Sequence, residues 1–148
     1  MTQLMEIMTP YREETENIEV EVAPVYLSEE SAPAKGQFFY MYAVRITNNR
    51  PEPVQLLTRK WIIRNGQGES KDIEGDGVIG EQPWIKAGDT YTYRSFCPLT
   101  TPTGNMRGSY IFENEAGEEI EAKVPLFFFR MVDAPGNPQG LYSELQAL

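Results

Sequence analysis

Gly75, Gly77 and Gly80 stand in a G-x-G-x-x-G spacing, the pattern in this chain that points most directly to a ligand. Glycine lets backbone N–H groups approach a pyrophosphate without interference from a Cβ. Asp72, Glu74 and Asp76 run into the same motif, and hard carboxylate oxygens of this kind suit a divalent cation in a phosphoanhydride-cleaving site. The dinucleotide use of the spacing, however, needs a helix after the glycines, because the helix N-terminus supplies much of the anion binding. Pro83 and Gly88 follow too soon for that helix, so a Rossmann domain is excluded. Asp76 also adds a carboxylate that repels phosphate unless a cation bridges the two. Two readings of Gly75, Gly77 and Gly80 remain. One is a pyrophosphate- or nucleotide-sensing loop acting with a divalent cation. The commoner one is a structural turn.

Other reactive groups are sparse. Glu19 and Glu21 alternate with Ile18, Val20 and Val22, and Glu119 and Glu121 alternate with Ile120 and Ala122. Strand geometry sets each pair about 7 Å apart on one face, where a solvated outer surface is a commoner use than a metal site. No metal ligand set is assigned. The chain has no histidine, which removes the Ser-His-Asp triad, the Cys-His pair and His-ligated catalytic zinc. Its single cysteine, Cys97, lies between Phe96 and Pro98 and reads as a small buried apolar residue, with no disulfide or CxxC motif. No catalytic constellation and no cofactor are expected, and the chain is read as non-enzymatic.

The elements that must position these residues are strands. At about 100–200 residues per domain, 148 residues point to one domain. Ile18–Val22 alternates with period two. Phe38, Tyr40, Tyr42, Val44 and Ile46 share one face of the strongest strand, which Asn48–Pro53 ends. Val54–Ile63 sets Leu57, Arg59, Trp61 and Ile63 on one face, with Val54, Leu56 and Ile62 nearer the other phase or a bulge. Asn65–Gly68 and Lys86–Asp89 are turns, and Thr90–Phe96 alternates again. A long loop is expected over Cys97–Asn105, followed by strands over Met106–Asn114 and Glu118–Met131. Pro125 marks an edge or bulge in the last of these. No window shows helical periodicity, except a short amphipathic turn over Leu141–Leu148. The expectation is an all-β, immunoglobulin/fibronectin type III-like antiparallel β-sandwich of about seven strands. Residues 1–14 read as a flexible lead-in, 15–131 as the sandwich and 132–148 as a Pro/Gly-rich tail.

With 13 basic against 22 acidic residues the net charge is −9, the wrong sign for nucleic acid. The apolar runs at 37–44 and 126–129 fall far short of the ~20 residues that span a bilayer, and no secretory signal is visible. A cytoplasmic protein that does not insert in a membrane is expected. An unknown protein partner is the leading expectation, with a homodimer left open.

Three blocks carry a family likeness: VQLLTRKWIIRNGQGE from Val54, EGDGVIGEQPWIKAGDTYTYRSFCPLTTPTGNMRGSYIF from Glu74, and GEEIEAKVPLFFF from Gly117. With the Y-x-Y-x-V-x-I-x-N strand over Tyr40–Asn48, they resemble the ApaG family over about residues 15–130. The resemblance implies a fibronectin type III-like sandwich. It further implies an association with cobalt resistance and magnesium efflux, and, from similar domains in a eukaryotic F-box protein and a polymerase-delta-interacting protein, a protein-interaction role. The family's proposed pyrophosphate signature falls on Gly75, Gly77 and Gly80.

Overall fold

The computed structural model describes residues 10–131, so the expected tail and most of the expected lead-in lie outside the described residues. Nine strands form two antiparallel sheets among those residues: β1 (Tyr11–Thr15), β2 (Ile18–Tyr26), β3 (Phe38–Asn48), β4 (Val54–Asn65), β5 (Ser70–Asp76), β6 (Trp84–Ile85), β7 (Thr90–Leu99), β8 (Gly104–Asn114) and β9 (Glu119–Phe129). The first sheet has the order β1-β2-β3-β7. The second has the order β5-β4-β8-β9, with β6 pairing β4 beyond the end of β5. The all-β sandwich expected from alternation is the fold observed.

Period-two alternation decides which side chains enter the space between the sheets. Val20, Val22, Tyr40, Tyr42, Val44 and Ile46 line it from the first sheet, and all are buried. Leu56, Trp61, Tyr110, Phe112, Ala122 and Phe127 meet them from the second. Burying a large side chain of this kind is worth about 1.5–3 kcal/mol. Two bulges keep the pattern inward where the sequence changes phase. At Leu57 the pairing of β4 with β8 slips, so Val54 and Leu56 face inward before it and Trp61 after it. In β9 the slip falls at Pro125 and Leu126, with Val124 inward before and Phe127 and Phe129 inward after. Proline has no N–H to give a ladder, and β9 is an edge strand, so the bulge there costs little.

The structure departs from the sequence reading in two places. The expected lead-in already carries β1 from Tyr11, held to β2 by a two-residue turn in which Glu16 and Asn17 have φ of 54° and 61°. Such a turn matches strand twist but is usually signalled by Asn-Gly or Gly, which is absent here. The long loop expected over Cys97–Asn105 shrinks to four residues, Thr100–Thr103, because β7 runs on through Pro98 and β8 starts at Gly104. Thr101 pins that loop: its Oγ1 accepts from the Gly66 N–H (2.8 Å) and donates to the Thr103 carbonyl (2.8 Å). The Tyr40 hydroxyl donates to the Pro102 carbonyl beside it.

Candidate functional site

The three glycines lie where β5 ends and the chain turns toward β6, and Gly77 and Gly80 have a backbone reason to be glycine. A Cβ on Gly75 would stand 3.0 Å from the Arg59 guanidinium nitrogens. On Gly77, where φ is +61°, a Cβ would fall 2.1 Å from the Glu81 carbonyl oxygen. Gly80 has open space around it but a φ of +79°, a conformation that L side chains enter at a cost of roughly 1–2 kcal/mol. Three backbone donors of the loop, at Gly77, Val78 and Glu81, have partners within the fold. Gly77 N–H donates to the Leu57 carbonyl (2.7 Å), and Val78 and Glu81 exchange N–H···O bonds of 2.9 Å. Arg59 Nη1 reaches the Asp76 and Gly77 carbonyls at 3.0 and 2.8 Å, so the guanidinium braces the turn.

The acidic residues do not converge. Asp72, Glu74 and Asp76 are exposed on alternate positions of β5, opposite Ile62, Lys60 and Thr58 on β4. Glu19 accepts from Arg12 Nε (2.7 Å), and Glu21 accepts from Arg45 Nε (2.7 Å) and Nη2 (2.9 Å). Glu121 accepts from the Ser109 hydroxyl (2.9 Å). Among the described residues, no group of three or more Cys, Asp or Glu is placed to hold a metal ion. Cys97 is buried on the inner face of β7, and desolvation pushes its thiol up to about 11.

Two large apolar side chains are exposed on this excursion among its polar ones. Ile79 has a φ of 42° and is 60% exposed. A β-branched residue at positive φ is an outlier held only by its surroundings. Trp84, on β6 of the same excursion, is 50% exposed. The excursion is fastened to the β4 bulge: Leu56 N–H donates to the Pro83 carbonyl (3.0 Å), the Gln55 amide to the Gln82 carbonyl (3.1 Å) and the Gln82 amide to the Leu57 carbonyl (2.8 Å). Tyr91 adds a bond from its hydroxyl to Glu81 Oε2 (2.9 Å). Nothing in the sequence signals Ile79, because neither alternation nor turn propensity favours a β-branched residue at positive φ.

A rigid two-sheet domain that offers apolar side chains from a fastened loop belongs to the class of immunoglobulin/fibronectin type III-like β-sandwich domains. Within that class the chain belongs to the ApaG family: the ApaG domain matches residues 28–114. Protein ApaG of Afipia carboxidovorans is 48% identical over 117 residues, covering 79% of this chain and 90% of that protein. Protein ApaG of Mesorhizobium japonicum is 43% identical over 126 residues, covering 85% and 95%. The crystal structure of the ApaA protein from Bordetella pertussis superposes with a TM-score of 0.76 at 38% identity, covering 82% of this chain and 98% of that one. The C-terminal domain of wzt shares the fold alone, with a TM-score of 0.51 at 9% identity.

Proposed function

We propose that this protein is a non-enzymatic binding module of the cytoplasm that engages a protein partner through the loop between β5 and β7. The observation that carries the reading is the pairing of Ile79 and Trp84, two large exposed apolar side chains on one hydrogen-bonded loop. Exposed aromatics on a rigid frame make binding hot spots, because little conformational entropy is lost when they are covered. The family resemblance supports an association with cobalt resistance and magnesium efflux, the physiology in which a partner is first to be sought. The test has two stages: capture and identification of partners with the wild-type protein, then titration of the purified partner against Trp84→Ala and Ile79→Ser. A loss of tenfold or more in affinity for each variant is expected, since such contacts contribute about 1–2 kcal/mol or more. Unchanged affinity for both variants would remove this loop as the contact.

A further inference from the structure

The two lateral sides of the sandwich differ. On one, β1 and β2 come close to β9 and close the core. On the other, the edge strands β5 and β7 stand apart and leave a cleft of about 480 Å³, within the range of roughly 300–1,000 Å³ usual for small-molecule sites. Its floor is Tyr42, Trp61 and Met106, all buried. Its walls carry Ile73 from β5 and Ser95 from β7.

Two cations enter this apolar space. The register of β5 on β4 sets Lys71 opposite Ile63, Ile73 opposite Trp61 and Gly75 opposite Arg59, which puts Lys71 and Arg59 on the inner face. Arg59 holds only backbone carbonyls through Nη1, and neither cation forms a salt bridge among the described residues. The cleft thus combines an aromatic floor with two cations that lack a carboxylate, in a protein of net charge −9. Glu69 at the rim leaves a net charge of one positive unit there, which suits a single negative charge and disfavours a polyanion.

We propose that the open side of the sandwich between β5 and β7 is a binding site for a small amphipathic carboxylate, its apolar body toward Trp61 and Tyr42 and its carboxylate on Lys71, with Arg59 adding positive charge further along the cleft. This site is separate from the Ile79–Trp84 contact and does not rest on it. The Lys71 ammonium gives the carboxylate a charge-assisted hydrogen bond, while Arg59, whose Nη1 holds the Asp76 and Gly77 carbonyls, contributes through its charge.

The experiment is an amide and indole NMR titration of the full chain with 3-phenylpropionate and octanoate, each beside its neutral amide. Saturable shifts at the Trp61 indole N–H and the Ile73 and Cys97 amides are expected for the acids, with the amides at least tenfold weaker. Lys71→Gln, at an exposed position, should weaken the acids about five- to tenfold and leave the amides unchanged. Ser95→Leu, which fills the cleft from its wall, should abolish both responses, with wild-type dispersion elsewhere showing that the fold persists. The proposal is overturned if neither acid gives saturable shifts at these residues up to about 10 mM. Equal responses to acid and amide, or a response of undiminished size in Lys71→Gln, would overturn it as well.

Discussion

The hydroxyls of Tyr93 and Tyr110 meet in a hydrogen bond between the two sheets, one ring from β7 and the other from β8, with both side chains buried. Neither phenol ionises near neutral pH, because burial raises both well above the ordinary tyrosine value. Each hydroxyl satisfies the other where no water reaches. Tyr93→Phe should therefore leave the Tyr110 hydroxyl unpaired and cost about 1–3 kcal/mol. The double variant Tyr93→Phe/Tyr110→Phe should cost less than the sum of the two singles, since it removes both members of the pair. Denaturant unfolding of the three variants checks this.

On the outer face of the first sheet, Glu21 and Arg45 are directly opposed in the β2–β3 register and joined by two hydrogen bonds. The Arg45 bond, opposed by partial burial, holds the Glu21 carboxyl below its ordinary value of 4.5. A depressed carboxylate contributes stability that is complete above the unfolded value and is lost as pH falls through the folded one. Glu21→Gln should thus cost about 1–2 kcal/mol at pH 7. The gap to wild type should narrow progressively below about pH 4.5. Thermal melts from pH 7 down to pH 3 would show it, and a gap that stays constant would contradict the ion pair's role.

Cys97 carries a thiol raised to about 11 by burial. The thiolate is the reactive form, and at pH 8 it should be roughly a thousandfold rarer than the thiol. Iodoacetamide should label the native protein at least about a hundredfold more slowly than the protein in guanidinium. Equal rates would mean that the wall of the cleft opens freely.

The glycine loop yields a graded prediction. Gly77→Ala forces a Cβ to within 2.1 Å of the Glu81 carbonyl oxygen, so the turn must rebuild. Its cost should exceed about 3 kcal/mol, whereas Gly80→Ala, with open space and only a positive φ to adopt, should cost about 1 kcal/mol. Chemical denaturation separates the two. A titration with pyrophosphate and ATP, each with and without Mg²⁺ or Co²⁺, tests the ligand reading of Gly75, Gly77 and Gly80. Flat amide shifts to millimolar ligand would leave these residues a structural turn, and saturable shifts centred on Gly80 would restore the sensor reading.

Alternation in Phe38–Ile46 and Thr90–Phe96, the turns at Asn65–Gly68 and Lys86–Asp89, and Pro125 on an edge were all legible in the sequence. Each depends on local rules: side chains alternate along a strand, glycine relieves a turn and proline cannot join a ladder. In Val54–Ile63 alternation left a second phase or a bulge open and put Leu57 with Trp61, and only the pairing with β8 sets a bulge at Leu57 and turns Leu56 inward instead. The glycine spacing was visible too, but its meaning was not. What makes Gly77 a glycine is the Glu81 backbone from across the turn. The strand at Tyr11–Thr15 carries no turn signal in the sequence, because Glu16-Asn17 turns without a glycine and the strand is held by its pairing with β2. The positive φ of Ile79, the meeting of Tyr93 with Tyr110, and the open side where Arg59 and Lys71 face Trp61 depend on how two sheets lie against each other. Period-two patterning determines which face of a strand is apolar. Only the packing of one sheet on the other decides which side chains meet, and where the edges stay apart.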